Sequence, residues 1–168
     1  MLVWFQLGSR AQSTEVGIDA PRADDIARKT GQPNRILVVE DEADIRRVIT
    51  WLLEDVGYEV LQAGNGQEAV DRLMQGQSKI PDVILLDLLM PVMGGDEFLK
   101  WQRGAPQEQI RNIPVVVTTG VAELPTAVIE NADIILRKPV EAAVLTEAIL
   151  RSHWMAKSRG LRRAPGGT

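Results

Sequence analysis

The sequence contains no cysteine. A disulfide framework, a zinc–thiolate site and a thiol nucleophile are therefore excluded. Only one histidine is present, His153, which excludes a multi-histidine metal site. No apolar run is long enough to span a membrane. The best, around Ile80 to Met93, is broken by Pro81, Asp82, Asp87 and Pro91. The apolar start, Met1 to Gly8, has no basic flank before it and no long h-region, so it is not expected to act as a signal peptide. A cytoplasmic protein is expected. No G-x-x-x-x-G-K-[ST] occurs, which removes a P-loop nucleotide site. The four tryptophans, Trp4, Trp51, Trp101 and Trp154, are dispersed. They suit packing or partner contacts, not a stacking platform for bases.

What is present fits one ordinary domain of 168 residues. The 45% apolar and 25% charged content is that of a soluble globular chain and excludes global disorder. The net charge of −4 argues against a protein dedicated to nucleic acid. That charge is uneven. Residues 1–34 are neutral, residues 35–157 hold twelve basic and nineteen acidic residues, and residues 158–168 hold three arginines. The first stretch is punctuated by Gly17, Pro21, Gly31 and Pro33 and shows no sustained period. It is expected to be a largely disordered arm, with room for a short helix at Ala23–Lys29. The last stretch is expected to be a basic, disordered, solvated tail.

Between these ends, strand and helix patterns alternate. Strands are expected at Arg35–Val39, Tyr58–Leu61, Asp82–Leu86, Ile113–Val117 and Ile134–Leu136, as short apolar runs. Ile45, Val48, Ile49, Leu52 and Leu53 mark one helix face, closed by Gly57. Further helices are expected at Gln67–Met74, Asp96–Arg103, Thr126–Asn131 and Glu141 to about Lys157. The fold class is α/β, a parallel doubly wound sheet with helices on both faces. His153, on the last helix, reads as an ordinary surface or boundary residue.

In such sheets, ligands sit beyond the carboxyl ends of the strands. Glu40, Asp41 and Glu42 follow the first strand, Asp87 the third, Thr118 to Gly120 the fourth, and Arg137 to Pro139 the fifth. Clustered carboxylates repel one another unless a hard cation joins them, and oxygen ligands on an open site suit Mg²⁺. A carboxylate beside that metal can act as a nucleophile and form an aspartyl phosphate. Each block has a blander use alone. Acids before a helix favour its N-terminus, and a lone lysine decorates a surface. Their shared register is what sets them apart.

The chain resembles the receiver domains of two-component response regulators over about residues 35–155. The resemblance rests on Ile36-Leu-Val-Val-Glu-Asp-Glu42, Val83-Ile-Leu-Leu-Asp-Leu-Leu-Met-Pro-Val-Met-Gly-Gly95, Ile113-Pro-Val-Val-Val-Thr-Thr-Gly120 and Arg137-Lys-Pro139. It implies a flavodoxin-like five-stranded sheet in the order 2-1-3-4-5, in three α/β/α layers. The receiver would occupy residues 35–157. The resemblance makes Asp87 the phosphoacceptor, with Glu40, Asp41, Asp87 and the Leu89 carbonyl as the Mg²⁺ site. Thr119 and Lys138 would bind the phosphoryl group, Gly120 would leave room for it, and Pro139 would follow a cis peptide. A histidine kinase or histidine phosphotransfer protein would be the donor.

Three departures from the family pattern stand out. Ile135 replaces the usual aromatic switch residue. The stretch from Thr119 to Lys138 is short and interrupted by Pro125. Leu89 and Val121 are apolar where polar groups often position water, so slow autodephosphorylation is expected. The stretch after Lys157 is expected to be a tail too short for a winged helix or a catalytic module, so a stand-alone receiver is expected. It would be no enzyme and carry no DNA-binding domain. It would act through an unknown downstream protein, as a monomer or a phosphorylation-linked dimer. A receiver-like binding module that is no longer phosphorylated is the alternative. A haloacid-dehalogenase-type phosphatase needs an acid two residues after the nucleophile, where this sequence has Leu89.

Overall fold

The computed structural model describes residues 34–75 and 80–163. Five strands, β1 (Arg35–Val39), β2 (Glu59–Ala63), β3 (Val83–Asp87), β4 (Val115–Thr119) and β5 (Ile134–Arg137), form one parallel sheet. Their order is β2-β1-β3-β4-β5, as the resemblance implied. The helices are α1 (Ala43–Asp55), α2 (Gly66–Gln75), α3 (Gly95–Gly104), the four-residue α4 (Glu108–Arg111), α5 (Thr126–Asn131) and α6 (Ala142–Arg163).

Side chains alternate across the strands, so the sheet supplies two cores. Leu37, Val39, Ile84, Leu86, Val115 and Val117 face one way and pack with Ala69, Leu73, Phe98, Leu99 and Val128 of α2, α3 and α5. Ile36, Val38, Val83, Leu85, Val116 and Leu136 face the other way, onto Leu53 of α1 and Leu145, Ala148 and Ile149 of α6. Trp101 lies over Phe98 with ring centroids 5.7 Å apart.

Several expectations change. β3 begins at Val83, not Asp82, whose carboxylate accepts the backbone N–H groups of Asn34 and Arg35 at 2.8 and 3.0 Å. β3 and β4 also run on to Asp87 and Thr119. On α1 the buried face runs through Thr50 and Leu53. The Thr50 hydroxyl is satisfied by the Arg46 carbonyl at 2.8 Å, so it can turn inward. Ile45, Val48 and Trp51 are left as an exposed stripe, and Met74 of α2 is exposed too.

α6 runs six residues past Lys157, into the stretch expected to be a basic tail. Gly160 is tolerated inside a helix at about 1 kcal/mol, and Arg159 pairs with Asp133 before β5. His153 is buried, only 5% exposed. Burial pushes its pKa down, as does Lys157, while Asp82 pulls the other way, so a neutral ring suits this interior. The arm over residues 1–33, its helix at Ala23–Lys29 and the last five residues lie outside the described residues.

Two glycines shape the carboxyl-end loops. Gly57 ends the α1 turn at φ +96°, a region glycine enters freely. At Gly95 a Cβ would sit 2.5 Å from the Asp87 carbonyl oxygen, so only glycine lets α3 start this close to the end of β3.

Candidate phosphoacceptor site

β1, β3, β4 and β5 end on one rim and bring the predicted residues together. Glu40 follows β1 directly and its backbone N–H still pairs with Ala63 across the β2 edge at 3.2 Å. Asp87 is the last residue of β3, and its Oδ1 accepts the Leu88 N–H at 2.8 Å. Lys138, just past β5, donates from Nζ to Glu40 Oε2 at 3.1 Å and lies 3.2 Å from Asp87 Oδ1. The lysine backbone N–H is in turn held by the Thr119 carbonyl at 2.8 Å. The Lys138–Pro139 peptide is cis, as the resemblance implied.

Carboxylate oxygens of Glu40, Asp41 and Asp87 lie within 4.8 Å of one another. Glu42 is exposed and is not one of the three. Glu40 is buried, and burial pushes its pKa up. The charge of Asp87 adds to this, and Lys138 pulls the other way. Burial of Lys138 works against its own charge, but the bond to Glu40 and the charges of Asp87 and Glu40 outweigh it. Its pKa stands above the ordinary value. Glu40 Oε1 is buried and has no hydrogen-bond partner.

These facts bear on whether a divalent cation fits. Three carboxylates face one ammonium, and one carboxylate oxygen is buried without a donor. The donor set is all oxygen, half open to solvent through Asp41. A hard cation such as Mg²⁺ matches that set.

Around the acids, the Thr119 hydroxyl accepts the Val121 N–H at 3.0 Å, which leaves its own proton free to donate. A Cβ at Gly120 would meet nothing within 4 Å, so the space beside Thr119 is open. Leu89 is 65% exposed, two residues beyond Asp87. Ile135, at the position where an aromatic was expected to be missing, is buried on the core side of β5. Arg137 ends β5 and bonds the Ala122 carbonyl at 2.9 Å, tying down the loop after β4.

Two residues escaped the sequence reading. Arg46 donates to the Glu40 and Asp41 carbonyls. Its only sequence signal is its place on the first turns of the helix that follows the acids. Gly95 stands in the sequence only as the end of the Met90-Pro-Val-Met-Gly-Gly95 turn, and its crowding against Asp87 is visible only in three dimensions.

Comparison with known proteins follows the same outline. Residues 36–150 match the family model described as response regulator receiver domain. Protein Rrf1 of Nitratidesulfovibrio vulgaris is 33% identical over 120 residues, 71% of this chain and 83% of that protein. The CAI-1 autoinducer sensor kinase/phosphatase CqsS of Vibrio cholerae is 39% identical over 93 residues, 55% of this chain. The match spans only 13% of CqsS, and 35% and 37% of two other curated relatives. The response regulator protein TrrA of Thermotoga maritima, solved in complex with Mg²⁺ and BeF, is 28% identical. It superposes with a TM-score of 0.61 over 70% of this chain and 97% of its own. Among the described residues, no helix is long and apolar enough to cross a membrane. The chain belongs to the response regulator receiver domain family.

Proposed function

We propose that Asp87 accepts a phosphoryl group from the phosphohistidine of a histidine kinase or a histidine phosphotransfer protein. The observation that carries this reading is the convergence of Lys138 on both Glu40 and Asp87. An Asp87 carboxylate oxygen forms the new P–O bond. The P–N bond to the donor imidazole breaks, and its electron pair stays on the leaving nitrogen. Little covalent chemistry falls to the protein, so catalysis is positioning plus electrostatics.

Glu40, Asp41, Asp87 and the Leu89 carbonyl would hold Mg²⁺, which supplies charge neutralisation at the phosphoryl oxygens. Lys138 offsets the charge on another of these oxygens, and the Thr119 hydroxyl donates to them. The open space at Gly120 admits the group. The phosphoryl group carries nearly two negative charges where the carboxylate carried one, and its new acceptor oxygens draw Thr119 and its loop toward Asp87. Output then runs through contacts with a partner protein.

The test is mass spectrometry after incubation with Mg²⁺ and acetyl phosphate. An adduct of about 80 Da, the phosphoryl mass, is expected in the wild type and absent in Asp87→Ala. No adduct in the wild type, with a competent control receiver, would favour the binding-only reading. The aspartyl phosphate is also expected to decay slowly, because Leu89 and Val121 offer no polar atom to a water. Leu89→Asn and Val121→Glu should each shorten its lifetime, measured by loss of the adduct. A wild type that decays as fast as both would sink that idea.

A further inference from the structure

Arg46 is a charged residue at this rim to which the chemistry above gives no task. Its neighbour Arg47 pairs with exposed Asp44 at 3.3 Å, an ordinary surface contact. Arg46 instead turns back over the end of β1. Its Nη1 donates to the backbone carbonyl of Glu40 and, at 3.3 Å, to that of Asp41. The residue itself is only partly exposed. Its own carbonyl is taken by the Thr50 hydroxyl and its N–H by the Glu42 carbonyl at 2.9 Å, so the guanidinium springs from a well-anchored turn.

The two carbonyls belong to the two acids of the candidate metal site. A peptide plane held at its oxygen fixes the backbone torsions on either side of it. Two successive planes held by one guanidinium therefore fix the directions in which the Glu40 and Asp41 side chains leave the chain. This matters because Asp41 lies beyond β1, where no ladder sets its backbone. Its carboxylate must nevertheless stay within 4.8 Å of those of Glu40 and Asp87. Groups that orient metal ligands from behind typically change metal affinity by about 10- to 100-fold when removed.

We propose that Arg46 is a positioning residue for the acidic pair. By clamping the Glu40 and Asp41 carbonyls it aims their carboxylates at a divalent cation. The proposal rests on the metal reading given above. It separates from a plain charge effect because a guanidinium can hold both carbonyls in a fixed plane, whereas an ammonium is a point charge on a flexible stem.

The experiment titrates Mg²⁺ alone into the full chain and its Arg46→Met and Arg46→Lys variants by calorimetry. Circular dichroism melts without metal accompany each titration. Both variants are expected to stay folded and to bind Mg²⁺ about 10- to 100-fold more weakly than the wild type. If Arg46→Met does not fold, Arg46→Lys carries the test alone. Folded variants that bind Mg²⁺ as tightly as the wild type would overturn the proposal and leave the metal reading standing. So would a lysine variant that alone retains wild-type affinity, since charge would then suffice. A wild type that binds no Mg²⁺ would overturn the metal reading itself, and the role of Arg46 with it.

Discussion

At the amino end of the sheet, Asp82 and Asp133 are tied into the fold by backbone N–H groups. At the carboxyl end, Glu40 and Asp87 share one lysine, with Asp41 beside them. Asp133 Oδ2 accepts the Val115 N–H at 2.8 Å and Arg103 Nη2 at 3.1 Å, and its Oδ1 pairs with Arg159. Asp82 joins the starts of β1 and β3 through two backbone N–H groups. The side chains of Asp133 and Glu40 are equally hidden, each 2% exposed. Burial therefore does not separate them, but satisfaction does. Asp133 has two cations and an N–H, whereas Glu40 has part of one ammonium and a bare oxygen. A buried carboxylate with all its bonds made is a fastener. One with bonds left over is available to a ligand.

The comparison can be broken most decisively by Asp133→Ala. It leaves the buried Val115 N–H without its acceptor and removes the anion facing Arg103 and Arg159, and should cost about 3 kcal/mol in urea unfolding. Asp87→Asn, at the other rim, should hold or raise stability and stay within about 1 kcal/mol of the wild type, since it removes a repelling charge. Equal losses in the two variants would erase the contrast. Next in size is the effect of the cation. Mg²⁺ at a hundred times its dissociation constant should add about 2.7 kcal/mol to the wild type. It should add nothing to Asp41→Asn, a difference readable in thermal melts.

The smallest effect belongs to His153, beside Asp82 at the amino end. Its folded pKa lies below the ordinary histidine value, so the unfolded chain binds the proton more readily. Stability is then full above about pH 6.5 and falls as pH drops through that value toward the folded pKa. The slope cannot exceed about 1.4 kcal/mol per pH unit for one proton. His153→Gln should flatten this slope between pH 7.5 and pH 5. An unchanged slope would mean that another group is responsible.

The fold was legible in the sequence where burial was complete. Arg35–Val39 and Ile134–Leu136 are short apolar runs, buried from Ile36 to Val39 and at Ile135 and Leu136. The same completeness hid the strand ends. Val83 to Asp87 is buried on both faces, so no alternation marks where pairing stops. The expected face of α1 holds at Ile49, Leu52 and Leu53, which meet the core, whereas Ile45 and Val48 at its amino-terminal end stay exposed. The end of α6 depended on a distant partner, Asp133, that local pattern does not contain.

For the site, a parallel sheet delivers strand-end residues to one rim, so the convergence of Glu40, Asp41, Asp87 and Lys138 is legible in the sequence, while their roles and that of Thr119 rest on the resemblance. Arg46 is not legible there. Its bonds go to carbonyls, which every residue has, so no side-chain motif announces them.

The exposed stripe on α1 has an optical consequence. Trp51 is 62% exposed, whereas Trp101 is half-buried against Phe98. The two indoles should emit at different wavelengths, with Trp51 the redder and the more open to a soluble quencher. Trp51 stands five residues along α1 from Arg46. This receiver thus carries a native fluorophore on the first helix after its acidic pair, placed to report events at that edge without a label.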